Sequence, residues 1–239
     1  MNQTTLLDNV NHHDLKIITE HGARFGDNVN QVLTFPSEYA DIHREYPILF
    51  YRDSAGGDYQ SIALLGLARD ENLFLDESDW DANYVPAVIA RGPFLIGLHG
   101  ESGEPMIHVD MDSPRVNRSQ GQAVFLTHGG HSPYLKRISE ILQRIHRGVA
   151  GSPDMFAAFA ACDLIEPVKL ELQLNDNERY IIDHFSTISG ERMAALTGAQ
   201  LESLNRQGYL QLAFYVLASL GNIPQLIERK NRRSVAMVS

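Results

Sequence analysis

His108-Val109-Asp110 sets an imidazole and a carboxylate two residues apart. On a β-strand both side chains project from one face. That is the first part of an H-x-D…H iron site, in which two histidines and a carboxylate hold Fe(II) by one face and leave positions for a co-substrate and O₂. His184, on a later hairpin, is the candidate distal ligand, and Arg192 beyond it is a basic residue for the carboxylate of a co-substrate such as 2-oxoglutarate. If the hairpin carrying His108 turns symmetrically about Gly103-Glu104, His99 faces His108 across the pair. His128 and His131, in Thr127-His128-Gly129-Gly130-His131, are alternative ligands on a loop. The competing structural reading is that Asp110 opens a turn with Asp112-Ser113-Pro114.

A second cluster runs from Asp79-Trp80 through Tyr84-Val85-Pro86 to Arg91-Gly92-Pro93-Phe94. An indole, a phenol and a guanidinium close in sequence make a stacking platform with a polar edge, suited to a planar or sugar-like ligand. Trp80, Tyr84 and Arg91 are therefore candidate binding residues. The structural alternative has Trp80 and Tyr84 anchoring a long loop on the sheet, with Arg91 pairing a nearby carboxylate. Cys162 sits among Ala158, Phe159 and Ala161, where a buried thiol is inert because reactive thiolates need cationic, partly exposed surroundings.

Other chemistries lack their residues. There is no G-x-S-x-G elbow, no G-x-G-x-x-G and no G-x-x-x-x-G-K-S/T, so α/β-hydrolase nucleophiles and nucleotide-phosphate cradles are disfavoured. With 20 basic and 30 acidic residues the net charge is −10, which argues against nucleic-acid affinity, since phosphate binding needs clustered cations. The one basic run, Arg229-Lys230-Asn231-Arg232-Arg233, reads as a solvated tail over residues 229–239 that complements the preceding helix end. A single cysteine excludes an intrachain disulfide and a multi-thiolate metal site. No run of about 18 apolar residues is present, and no signal segment is visible. The expectation is a reduced, soluble, cytoplasmic protein forming one domain over residues 1–239.

The elements that must position these groups change character along the chain. The first half reads as short strands broken by turns: 47–51 and 60–67 form a hairpin buried near a sheet centre, and 94–99 pairs with 106–110. Ser132-Pro133 starts a helix with Leu135, Ile138, Ile141, Leu142, Ile145 and Val149 at helical spacing. Gly148 is its expected terminator, and Ser152-Pro153 restarts a second helix. Val168 to Leu174 alternates as a half-wet strand, turned by Asn175-Asp176-Asn177 into a partner over 180–185. Thr197 and Gln200 fit a capping box, Gly208 ends that helix, Tyr209–Leu220 is a core helix, and Pro224 kinks or stops it. The class is α+β, with a mainly antiparallel sheet in the N-terminal half and packed C-terminal helices.

In this order and spacing the segments resemble the SapC-like family of bacterial proteins. The resemblance is carried by Glu45-Tyr46-Pro47-Ile48-Leu49-Phe50, Ala63-Leu64-Leu65-Gly66-Leu67, Glu71-Asn72-Leu73-Phe74, Trp80 with Tyr84-Val85-Pro86-Ala87, and Arg91-Gly92-Pro93-Phe94. It continues through Val109-Asp110-Met111-Asp112-Ser113-Pro114, Asp163-Leu164-Ile165-Glu166-Pro167 and Gly208-Tyr209-Leu210 with Ala218-Ser219-Leu220, spanning about residues 30–228. The resemblance implies association with a bacterial surface layer or a carbohydrate-uptake system. The family pattern includes Trp80, Tyr84, Arg91 and Asp110 but no histidine at 108 or 184, which favours the aromatic–arginine group as a shared site.

The resulting expectation is a non-catalytic accessory or binding protein without a cofactor. It serves a small molecule or a protein partner and pairs as a homodimer through an apolar helix such as Tyr209–Leu220. The alternative is a non-haem Fe(II) oxygenase using His108, Asp110 and His184.

Overall fold

Continuous apolar runs buried on both faces, alternating runs at the margins and long amphipathic stretches give a mixed α+β protein with antiparallel sheets. The computed structural model describes residues 4–52, 56–76, 79–99, 104–173 and 179–236. In chain order the first elements are β1 (Thr4–Leu6), β2 (Lys16–Ile17), β3 (Gln31–Thr34), α1 (Tyr39–Ile42), β4 (Ile48–Tyr51), β5 (Gln60–Leu64), β6 (Leu75–Asp76) and β7 (Asp79–Trp80). Then come α2 (Ala87–Ala90), β8 (Phe94–His99), β9 (Glu104–Asp110), β10 (Val116–Asn117), β11 (Gln122–Ala123) and α3 (Pro133–Ala161). The chain finishes with β12 (Ile165–Gln173), β13 (Arg179–Ile188), α4 (Gly190–Ala194), α5 (Gly198–Arg206), α6 (Tyr209–Ser219) and α7 (Ile223–Ala236).

These elements fall into two compact units, each discontinuous in sequence. The first comprises Met1–Asp27, Leu75–Asp81 and Ala87–Arg147. Its sheets are β1-β9-β8, β10-β2-β11 and the ribbon β6-β7, over a core of Leu15, Ile17, Phe94, Val109, Val124, Leu135, Ile138 and Leu142. The β8–β9 register differs from the symmetric expectation: His108 stands opposite Leu95, and His99 opposite Glu104. The turn between the two strands, over 100–103, lies outside the described residues, as does the His99 side chain. A Cβ on Gly97 would lie 2.5 Å from the His108 ring, so the imidazole lies across a strand glycine that leaves room for it.

The second unit comprises Asn28–Phe74, Ala82–Pro86 and Gly148–Ser239. Its five-stranded sheet has the order β12-β13-β4-β5-β3, with the predicted β4–β5 hairpin inside it: Ile48, Leu49, Phe50, Ala63, Leu64 and Leu65 are buried. Phe50 meets Phe156 edge-on at 5.0 Å between ring centroids and stacks towards Phe159. The β12–β13 hairpin carries a bulge between Val168 and Leu170, and its predicted turn at Asn175-Asp176-Asn177 lies outside the described residues.

The expected break at Gly148 is absent, because α3 runs on through Gly148 and Pro153. Gly148 is a contact residue: a Cβ there would come within 2.3 Å of Phe35 Cβ. The Ser152 hydroxyl donates to the Gly148 carbonyl at 2.8 Å, inside the turn that Pro153 deprives of a donor. The capping box at Thr197 and Gln200 forms, and Gly208 follows α5 at φ 77°, the left-handed value that favours glycine. The apolar helix ends at Ser219, a 3₁₀ turn covers Leu220–Asn222, and Pro224 lies in the first turn of α7, so the helical path breaks just ahead of the proline.

In α6 only Ala213, Val216 and Ser219 are buried, while Phe214 is 55% exposed. The predicted core helix is thus buried along one narrow stripe. By length and composition Tyr209–Ser234 is apolar enough to cross a membrane, and 28% of its most apolar window is buried. The Ser219 hydroxyl accepts the Ile48 amide at 2.9 Å, tying α6 to β4. The basic run is no solvated tail: in α7, Lys230 pairs with Glu71 at 2.5 Å, Arg233 donates to the Asn72 carbonyl at 2.6 Å, and Arg229 lies 4.4 Å over the Phe74 ring. The loop at 71–74 offers carbonyls, a carboxylate and an aromatic face, which capture these cations.

Candidate functional site

Each predicted site residue has its place within one unit. Trp80, 6% exposed, packs edge-on against the His21 ring at 5.3 Å. His21 in turn bonds Asp27 at 3.2 Å, and Asp27 is held by Arg115 through two contacts of 2.6 and 2.8 Å. Arg91 donates to the Phe94 carbonyl at 2.6 Å; burial lowers its guanidinium from the ordinary value, and the neighbouring Asp110 charge opposes that shift. Both residues belong to the first unit, whereas Tyr84 belongs to the second.

His108 is half-buried on β9, its Nδ1 3.2 Å from the Met106 carbonyl. Asp110 accepts the Asp112 amide at 3.1 Å, and Ser113 N–H bonds the Asp110 carbonyl at 3.3 Å, the turn anticipated for this segment. His184 is exposed on β13 beside Phe185, at 4.2 Å between ring centroids. Arg192 donates to the Asp163 carbonyl at 2.8 Å. Among the described residues no group of three His, Cys, Asp or Glu side chains is arranged to hold a metal ion.

Tyr84 leads to the most developed site of the second unit. Its hydroxyl donates to Glu38 Oε2 at 2.8 Å, and the Thr34 hydroxyl donates to Oε1 at 2.9 Å. Glu38 is fully buried, and a buried carboxylate persists only when such bonds replace water. Beside it the Tyr39 hydroxyl bonds Ser61 Oγ. Burial pushes the Tyr39 hydroxyl far up, the Ser61 bond opposes this and the Glu38 charge adds to it, so Tyr39 stays protonated. Thr34 and Ser61 stand opposite each other on β3 and β5, which puts both side chains on one face of the sheet.

That face forms the floor of a groove of about 690 Å³. Its apolar wall comes from β3 and the second half of α3: Leu33, Val149, Pro153, Phe156 and Ala157. Its polar wall comes from the β4–β5 hairpin: Arg52, Asp58 and Gln60. Between them stands a stack. The Arg52 guanidinium lies 5.2 Å over the Tyr59 ring, and Tyr59 stacks on Phe156 at 5.5 Å and 28°. Arg52 Nε donates to the Gly57 carbonyl at 2.7 Å, which braces the guanidinium against its own hairpin. The groove offers an apolar surface, a planar cation and amide and carboxylate edges, a combination that holds amphipathic ligands by stacking and hydrogen bonding.

The sequence signals an aromatic–arginine group at Trp80, Tyr84 and Arg91, whereas the groove builds its pair from Arg52 and Tyr59. A signal existed: the register Tyr51↔Gln60 makes Arg52 and Tyr59 the next cross-hairpin pair, so an arginine and a tyrosine flanking Gly56-Gly57-Asp58 are neighbours by construction. Phe156 carried no such mark, because it joins the stack only through the helix that continues past Pro153.

No curated protein and no solved structure matches the chain. A family model described as SapC matches residues 7–226. That span runs through both units and through the segments on which the resemblance rested, and the chain belongs to the SapC family.

Proposed function

We propose that this SapC-family chain is a cytoplasmic accessory protein, without a cofactor, that binds its target and leaves it chemically unchanged. In this reading it serves a bacterial carbohydrate-uptake or surface-layer system. The observation that carries the reading is the groove with its Arg52–Tyr59–Phe156 stack. A stacked ring bordered by arginine, aspartate and glutamine side chains suits the apolar face and hydroxyl edge of a sugar. Tyr84 contributes by holding Glu38 beneath the floor. Trp80 and Arg91 both lie in the first unit, and their part in binding is tested alongside. The exposed Phe214 of α6 supports self-association through that helix, as a homodimer.

Calorimetric titration of the wild-type chain with a panel of neutral and acidic oligosaccharides tests the reading. Binding should be weakened at least tenfold, or about 1.4 kcal/mol, by Tyr59→Ala or Arg52→Ala, while W80A and R91A report on the first unit. Conversion of any oligosaccharide to a product, or binding indifferent to both groove substitutions, would refute it.

A further inference from the structure

The groove is bounded on one side by a strand edge. In the second-unit sheet β3 is the last strand. The Leu64 amide donates to the Pro47 carbonyl at 3.0 Å, whereas the Leu65 amide donates to the Asn30 carbonyl at 2.7 Å. Hydrogen-bonded and non-hydrogen-bonded pairs alternate in an antiparallel ladder. Asn30, Val32 and Thr34 therefore turn their main-chain groups towards β5, and Gln31 and Leu33 turn theirs outward. Leu33, 40% exposed, lines the groove with its main chain at the open edge.

The α3 part of the same apolar wall carries a further acceptor. Residue 153 is proline, so the Val149 carbonyl has no amide four residues on to bond. Val149 is 53% exposed and lines the same groove. A strand edge with outward N–H and C=O groups, faced by a helix bearing small and apolar side chains, is the geometry in which an extended chain adds to a sheet. The charges narrow the occupant further, because among the described residues the lining holds one cation, Arg52, and one anion, Asp58. An extended segment with alternating apolar residues and one acidic and one basic side chain complements both.

We propose that the groove receives such a segment from a partner protein, added to β3 as a sixth strand through the main chain of Gln31 and Leu33. The inference rests on the groove being the binding surface, as read above, and names a protein segment in place of a sugar as its occupant. The added strand's apolar side chains meet Val149, Pro153 and Phe156, its carboxylate meets Arg52, and its basic group meets Asp58.

The probe is a phage-displayed library of random short peptides panned on the full chain, followed by titration of the recovered peptides as synthetic compounds. Strand addition requires that N-methylation at every second peptide residue lowers affinity by roughly tenfold or more, while methylation at the intervening residues leaves it within a factor of about two. Amide exchange at Gln31 and Leu33 should slow on binding. L33P, which removes an outward N–H from an edge strand, should abolish binding, and L33T should retain it. Methylation without alternation, or unchanged exchange at these amides, overturns the inference and leaves the groove reading standing. So does failure to recover any peptide when an oligosaccharide still binds through Tyr59. If neither class binds, both readings fall together.

Discussion

Replacing Asp27 by asparagine tests the polar centre of the first unit. The Asp27 and Arg115 side chains are 5% and 7% exposed, and they meet at 2.6 Å. Arg115 also donates to the carbonyls of Ile18 and Glu20 at 3.2 and 2.6 Å, and Asp27 accepts the Gly22 amide at 2.9 Å. Asparagine keeps the shape but removes the charge, leaving a buried guanidinium with neutral acceptors only. Breaking one side of a buried pair costs about 3–5 kcal/mol, a large part of a typical unfolding free energy of about 5–15 kcal/mol. Burial raises the Asp27 carboxyl, but bonds from His21, Arg115 and the Gly22 amide outweigh it and hold the group below the ordinary carboxylate range. Its stabilisation is therefore complete above the unfolded value of about 3.9 and is lost as pH falls through the lower folded value.

The assay is urea unfolding followed by the fluorescence of Trp80, which touches His21 in the same cluster, repeated across the acid range. D27N should unfold at lower urea and show a shallower fall of stability in acid than the wild type. A paired D27L/R115M variant should recover much of the loss, because no uncompensated charge remains. A loss under about 1 kcal/mol, or an unchanged acid slope, would refute the reasoning.

Two further outcomes follow from the second unit. Y84F removes one donor from the fully buried Glu38 and should cost about 1–3 kcal/mol in a denaturant titration; unchanged stability would show that the carboxylate does not depend on this hydroxyl. G148A gains helix propensity of about 1 kcal/mol, yet it drives a Cβ to 2.3 Å from Phe35 Cβ and 2.5 Å from Ser37 Oγ. Net destabilisation of about 1–3 kcal/mol is expected, and a raised melting temperature would contradict the contact.

What could be read from the sequence was set by how local each signal is. The capping box at Thr197, the left-handed Gly208 and the β4–β5 hairpin each depend on a few adjacent residues, and each formed as expected. Gly148 and Pro153 misled because their local preference is helix-breaking, whereas a long-range contact with Phe35 and a hydroxyl bond from Ser152 determine the outcome. The basic run at 229–233 misled for the same reason, since its partners lie far away in the chain at 71–74. The His108–Leu95 register depended on the length of one turn, which no periodicity records. Of the groove, Arg52 and Tyr59 were readable as cross-hairpin neighbours, but the helix wall and the buried Glu38 came only from tertiary assembly.

The α7 grip on residues 71–74 has a consequence for biosynthesis. Lys230 is translated 159 residues after the Glu71 it meets, an interval of about 8–30 s at ribosomal speeds of about 5–20 residues per second. Throughout that wait the clasp is unmade, and the Phe74 ring lacks the guanidinium that covers it at 4.4 Å in the finished protein. Closure of this seam thus waits until Lys230 and Arg233 have left the ribosome, and a product terminated before them would lack it.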